Sequence, residues 1–178
     1  MTDLAFRVAG SDDVPALHRL IESAYRGESA RQGWSHEADI LDGQRTDAEE
    51  LSGIIGDPAQ MMLMAHDGDR LIGCVRLVDE GEGVVYLGML SIDPTLQAGG
   101  LGRRLMAEAE DTARTRFGAT RMRMTVIKSR HELIAWYQRR GYALTGAEEP
   151  FPVDDEKFGL PRRLDLVFVV LEKGLGPS

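Results

Sequence analysis

Ser91-Ile92-Asp93-Pro94-Thr95-Leu96-Gln97-Ala98-Gly99-Gly100-Leu101-Gly102-Arg103-Arg104 is the stretch on which the reading of this chain turns. An apolar run from Val84 to Ile92 ends at Asp93-Pro94, a glycine-dense loop follows, and a helical pattern begins. Strand, glycine loop and helix in that order gather backbone N–H groups that can hold phosphate. Two phosphate-binding fingerprints fail at specific residues. A dinucleotide loop needs Gly or Ala three positions after its second glycine, where Leu105 stands. A Walker A loop needs Gly-Lys-Ser/Thr, and Gly102 is followed by Arg103-Arg104. What remains is Gln97-x-x-Gly100-x-Gly102.

Composition narrows the class of protein around that loop. A length of 178 residues suits one domain with a real core. The net charge of −8 argues against a nucleic-acid-binding surface and is compatible with basic or amine ligands. The single cysteine, Cys74, excludes an internal disulfide; its setting, Leu71-Ile72-Gly73-Cys74-Val75, reads as that of a buried small hydrophobe. No Cys/His cluster has metal-ligand spacing, so no metal is expected. The N-terminus lacks a basic-then-apolar leader, and no apolar run approaches the roughly 20 residues of a membrane span. A cytoplasmic protein with neither membrane nor nucleic-acid partner is the expectation.

Outward from the loop, periodicity assigns the elements. Upstream, Leu4 to Ala9 reads as a first strand, and Ser11 or Asp12 caps a helix carrying Val14, Leu17, Leu20, Ile21 and Ala24. Tyr25 to Arg45 is polar around a lone Trp34, which lines a pocket or caps the core. Thr46-Asp47-Ala48-Glu49 then restarts a helix that ends near Gly56. Met61 to Ala65, the turn Asp67-Gly68-Asp69, and Leu71 to Val78 form a hairpin, and a further turn leads into Val84 to Ile92. Downstream, Gly102 to Phe117 is a helix with Leu101, Leu105, Met106, Ala109 and Ala113 as its buried stripe. Thr120 to Ile127 alternates Met122, Met124 and Val126 against polar residues, a strand with one buried face. His131 to Arg140 is a helix closed by Gly141; a loop from Gly146 to Arg163 precedes a last strand, Leu164 to Leu171. Lys173 to Ser178 reads as a loose tail.

A second motif lies far from the first. Ala135-Trp136-Tyr137-Gln138-Arg139-Arg140-Gly141-Tyr142 carries an Ala-x-x-x-x-x-Gly-Tyr arrangement with a tyrosine on the helix. Together with Gln97-x-x-Gly100-x-Gly102, and with a helix and strand between, it resembles the GNAT superfamily of acyl-CoA-dependent N-acyltransferases. The resemblance spans roughly Leu71 to Tyr142. It implies an α+β fold, a mixed and mostly antiparallel sheet flanked by helices, as one domain over residues 1–172 with the tail at 173–178. It further implies acetyl transfer from acetyl-CoA to a primary amine: a small amine, an amino acid or a peptide N-terminus.

The resemblance also assigns residues. The strand before the glycine loop parts from its neighbour, and Leu90, Ser91 and Ile92 then face the pantetheine arm with backbone groups that match its two amides. Gln97, Ala98, Gly99, Gly100, Leu101, Gly102 and Arg103 offer backbone N–H groups to the pyrophosphate at the helix's positive end. Arg103 or Arg104 adds a charged contact or lies on a solvated helix face. Tyr137 is the general acid for the departing thiolate, and a backbone N–H near Leu90 serves the oxyanion. Two positions depart from the family pattern. Thr125 stands where some relatives carry a base glutamate, and Arg130 stands where an asparagine often contacts the cofactor. Arg130 reaches a CoA phosphate or is exposed.

No base follows from the motifs. Glu82, Glu37, Asp39 and a water relayed by Tyr86 remain open, while His36 and His131 read as structural or exposed. The acceptor site is expected from Tyr25–Arg45 and Gly146–Arg163, whose Phe151-Pro152 and Phe158-Gly159-Leu160-Pro161 supply apolar walls. A homodimer through the last strands is compatible with the pattern. Two other readings stand beside the enzyme. One is a non-catalytic acyl-CoA-binding or sensor module of the same fold, and the other a nucleotide-binding protein of another class.

Overall fold

A hairpin builds the middle of the sheet. In the computed structural model, which describes residues 4–25, 41–42, 46–150, 160–161 and 167–176, β3 (Gln60–Asp67) and β4 (Arg70–Gly81) pair antiparallel across Gly68 and Asp69. The first strand, β1 (Leu4–Val8), pairs antiparallel with β3. On the other side β4 pairs with β5 (Val84–Ile92), which meets β6 (Arg121–Ile127) in the sheet's one parallel contact. β9 (Val167–Gly174) lies between β6 and β7 (Ala143–Pro150), giving the order β1-β3-β4-β5-β6-β9-β7. A separate two-stranded piece joins β2 (Leu41–Asp42) to β8 (Leu160–Pro161).

Helices cover both faces. α1 (Val14–Tyr25) and α2 (Ala48–Gly56) pack on one, where Leu17, Ile21, Leu51 and Ile54 meet Met62, Met64, Cys74 and Met89. α3 (Leu101–Phe117) and α4 (His131–Arg139) pack on the other, against Leu63, Leu77, Val85, Leu87, Met122 and Met124. The expected stripe of α3 (Leu101, Leu105, Met106, Ala109 and Ala113) is buried, as are Met122, Met124 and Val126. α2 starts as its sequence suggested, one residue later than Thr46: the Asp47 carboxylate accepts from Glu50 N at 2.7 Å, a side-chain cap.

The α+β class with a mostly antiparallel sheet flanked by helices is the observed architecture. Three local expectations are corrected. Gly146 to Pro150, expected as loop, belongs to β7, whose eight residues are all exposed and held by the ladder to β9. Such a strand has no buried face and so no hydrophobic alternation to announce it. The first helix opens with a 3-10 turn, Ser11–Asp13, capped at Gly10, whose N–H donates to the Asp13 carboxylate at 2.8 Å. The last strand runs on through Gly174, so Lys173 is not tail.

Lys173 has a specific task there. Its Nζ donates to both oxygens of Glu110, at 2.9 and 3.1 Å, and to the carbonyl of Arg140 at 2.9 Å. Tyr142 Oη donates to the same Glu110 carboxylate at 3.0 Å. One buried carboxylate on α3 thus ties β9, the end of α4 and the residue after its closing glycine. Removing one partner leaves a buried charge uncompensated, whereas removing both does not. Lys173→Met should therefore lower stability by about 3 kcal/mol, and Lys173→Met/Glu110→Gln by distinctly less. Urea unfolding of the two variants reads this directly; equal losses would show that the charge pair is not what holds the joint.

Candidate active site

The site starts from a ladder that stops. β5 and β6 pair parallel only at Val84↔Arg121, Val85↔Met122 and Tyr86↔Arg123. Beyond Tyr86, β5 stays paired with β4 as far as Ile92, and β6 keeps seven residues in register with β9. The sheet therefore opens between β5 and β6 toward their C-terminal ends. A β-bulge lies in the same stretch: Cys74 pairs with Ser91 and Arg76 with Gly88, which leaves Met89 and Leu90 opposite Val75 alone. Met89 takes φ +52. The extra residue turns Met89 onto the α1–α2 face, while Val85, Leu87, Leu90 and Ile92 pack on the α3–α4 face. A bulge bends its strand and raises local twist, which carries β5 away from β6, whose ladder to β9 has no bulge.

Each strand that borders the opening hands over to a helix. After Ile92 the Asp93 carboxylate accepts from Thr95 N at 3.0 Å and from Thr95 Oγ1 at 2.8 Å, which fixes the 3-10 turn Pro94–Gly99. Gly100, at φ +79, both closes that turn and caps α3. A Cβ on Gly99 would meet nothing within 4 Å. The N–H groups of the first turn of α3, including Leu101, Gly102 and Arg103, have no acceptor within their own helix. Arg103 and Arg104 are exposed. Of Gln97 and Ala98 only the backbone, within the 3-10 turn, is described.

After β6, Arg130 stands at the N-cap of α4 and is half-buried. Tyr137 follows two turns later, 5% exposed, with its ring edge-on to Trp136 at 5.2 Å and to Tyr142 at 6.2 Å. Gly102 meets this helix directly: a Cβ there would lie 3.1 Å from Trp136 Cζ2. The glycine loop and the tyrosine helix, far apart in sequence, are thus in contact at one end of the opening.

At the narrow end of the opening a hydroxyl pair joins the two strands. Tyr86 Oη lies 2.8 Å from Thr125 Oγ1. The Tyr86 ring leans along its own strand, so a Cβ at Gly88 would lie 3.0 Å from Tyr86 Cε1. Arg123 stacks 5.0 Å above the same ring, is held in two hydrogen bonds by Glu80 at 3.0 and 3.1 Å, and reaches Glu149 at 3.2 Å. Glu82, one of the open base positions, sits at φ +57 in the β4–β5 turn, at the opposite end of β5 from the glycine loop. Trp34, His36, Glu37, Asp39 and Phe151 to Gly159 lie outside the described residues.

The sequence profile of the acetyltransferase (GNAT) family matches residues 15–142. The chain belongs to the GNAT acetyltransferase family. Solved structures agree in fold across nearly the whole chain. A spermidine N-acetyltransferase chimera from Vibrio cholerae and hSSAT superposes with TM-score 0.70 at 20% identity, covering 97% of this chain and 96% of that one. A Salmonella typhimurium protein assigned to the acetyltransferases, solved with its cofactor acetyl-CoA, gives TM-score 0.70 at 16% identity, covering 99% and 96%. The ribosomal-protein-S18-alanine N-acetyltransferase of Escherichia coli gives 0.70 at 13%, covering 98% and 96%. No curated protein sequence matches the chain.

The bulge and the Tyr86–Thr125 pair are the parts of the site that sequence reading missed or left open. In the sequence Tyr86 stands only as a water relay beside three candidate carboxylates, because a tyrosine on a strand says nothing about which neighbour it will reach. Among the described residues no group of three or more His, Cys, Asp or Glu is arranged to hold a metal, and no helix is long and apolar enough to cross a membrane. Cys74 is fully buried, and burial pushes its thiol up to about 12. The thiol therefore stays protonated, and a disulfide reagent at pH 8 should label the folded protein with no thiol and the urea-unfolded protein with one. Labelling of the folded protein would show that Cys74 is accessible.

Proposed function

We propose that the protein transfers an acetyl group from acetyl-CoA to a primary amine, such as a small amine, an amino acid or a peptide N-terminus. The observation that carries this reading is the opening between β5 and β6, with the glycine loop beyond one strand and Tyr137 on the helix beyond the other. The loop suits a pyrophosphate: Gly100 reverses the chain at φ +79, position 99 is open, and the first turn of α3 offers unsatisfied N–H groups. Neighbours of the same fold include a spermidine and a ribosomal-protein N-acetyltransferase, which supports an amine acceptor without choosing one.

When bound, acetyl-CoA would supply the activated thioester carbonyl. The Gln97–Arg103 backbone would hold the diphosphate, with Arg103 or Arg130 adding charge. The Leu90–Ile92 backbone would run beside the pantetheine arm and set the carbonyl near the Leu90 N–H. A neutral amine attacks, the carbon–sulfur bond breaks, and the sulfur leaves with the bonding pair. Tyr137 Oη donates its proton to that sulfur and recovers one from solvent. The amine's own proton leaves to water, and the Tyr86–Thr125 hydroxyl pair would hold that water at the narrow end of the opening. Their role is to orient that water.

Release of CoA thiol over a panel of amines, with calorimetric titration of acetyl-CoA, CoA and ATP, tests the reading. CoA binding with no thiol released on any amine would point instead to a binding module, and ATP binding without CoA binding to a nucleotide protein. Tyr137→Phe should lower kcat by about a hundredfold and leave the Kd for acetyl-CoA within about twofold. Unchanged turnover would remove Tyr137 from the acid role.

A further inference from the structure

Two observations at Gly102 do not follow from phosphate binding. Its backbone is helical with no positive φ, so conformation does not demand glycine at this position. What does demand it is the indole of Trp136, whose Cζ2 and Cη2 would lie 3.1 and 3.5 Å from a Cβ there. The 3.1 Å approach is tighter than ordinary van der Waals contact, so a methyl enters only if the ring or the loop gives by a few tenths of an ångström. The half-buried ring is itself held by two neighbours. Arg140, one turn later on α4, stacks its guanidinium 5.0 Å over it, and Tyr137 meets it edge-on at 5.2 Å with an interplanar angle of 80°.

Tyr137 is held from its other side as well. Tyr142 meets it edge-on at 6.2 Å, and the Tyr142 N–H donates to the Tyr137 carbonyl at 3.1 Å. Tyr142 is in turn fixed by Glu110 and Lys173. The tyrosine therefore sits in a channel between two aromatic rings. One ring is anchored to the buried carboxylate of α3, and the other rests on the glycine loop. Only the second can respond to what the loop holds.

We propose that Trp136 is a positioning residue that sets Tyr137 by bearing on Gly102, so that the seating of the donor's diphosphate on the loop fixes where the proton donor stands. This rests on the reading of the loop as the CoA site and of Tyr137 as the acid. The physical basis is rigidity. The indole lies between Gly102, where a Cβ would come within 3.1 Å of it, and the Tyr137 ring, 5.2 Å away centroid to centroid, and close-packed groups pass displacement on instead of absorbing it. Misplacing a reacting group by 1 Å can cost about a hundredfold in rate. Gly102 is then glycine for the sake of the ring, not to let a phosphate approach.

The experiment is a double-mutant cycle on kcat and on the calorimetric Kd for CoA. Gly102→Ala puts a methyl against the indole; it should lower kcat about tenfold and change the CoA Kd less than about twofold. Trp136→Phe keeps a ring beside Tyr137 but removes Cζ2 and Cη2, and should lower kcat about threefold. In the Trp136→Phe background, Gly102→Ala should cost nothing more, and in the Tyr137→Phe background neither substitution should lower kcat further. Equal losses from Gly102→Ala with and without Trp136→Phe would overturn the coupling, as would a loss of CoA affinity in place of kcat, which would mean that the methyl meets the phosphate itself. Should Gly102→Ala not fold, Trp136→Phe decides alone: a fall in kcat that disappears in the Tyr137→Phe background supports the coupling, and its persistence there overturns it. A wild-type protein that binds no CoA overturns this proposal together with the function it rests on. One that binds CoA and turns over amines, but whose variants add independently, overturns the coupling only.

Discussion

The three-residue ladder between β5 and β6 is the constraint on which the site depends. Parallel pairing normally runs the length of both strands, since each unpaired group in the middle of a sheet must find another partner. Here it ends because the two strands obey different neighbours. β6 is tied to β9 without interruption from Arg121 to Ile127, and β5 is tied to β4 through a bulge at Met89 and Leu90. A bulged strand and an unbulged one diverge from the roughly 4.8 Å spacing that pairing needs. The bulge must also satisfy the core. By turning Met89 to one face and Leu90 and Ile92 to the other, it keeps both hydrophobic clusters supplied across the change of direction.

Much of this was legible in the residues, for reasons that can be stated. The glycine loop shows because glycine marks backbone that other residues avoid, and Gly100 does adopt φ +79. α3 shows because its stripe recurs at helical spacing over several turns, and all five of its expected residues are buried. β7 did not show, since Ala143-Leu144-Thr145-Gly146-Ala147-Glu148-Glu149-Pro150 buries neither face and is a strand only by virtue of β9. The bulge did not show because Val85, Leu87 and Met89 continue a clean alternation in sequence. The break in phase appears only when Met89 is found on the opposite face.

Lys173 illustrates a different limit. Charged residues near the end of a chain read as solvated tail, and nothing local distinguishes this one. Its partner Glu110 lies in the middle of a helix most of whose other charges reach solvent, and the third member, Tyr142, reads as a core aromatic. Only the fold brings the three together. Local propensity and periodicity are blind to such contacts by construction, because they weigh each residue against its sequence neighbours.

Burying that carboxylate is not an obvious route to stability, since an ion pair taken out of water roughly cancels its own desolvation cost. What it provides is a fixed distance. Apolar contacts between α3 and α4 fix separation better than direction, because dispersion is non-directional. Hydrogen bonds from Lys173 to Glu110 and to the Arg140 carbonyl, and from Tyr142 to Glu110, fix both. They pin the C-terminal end of α4 to α3, while Trp136 against Gly102 sets the spacing nearer the loop. The helix that carries Tyr137 is thus held at two points, one polar and one steric. A helix held at two points has a defined direction as well as a position, and a side chain that is to deliver a proton to one atom, as proposed for Tyr137, needs both.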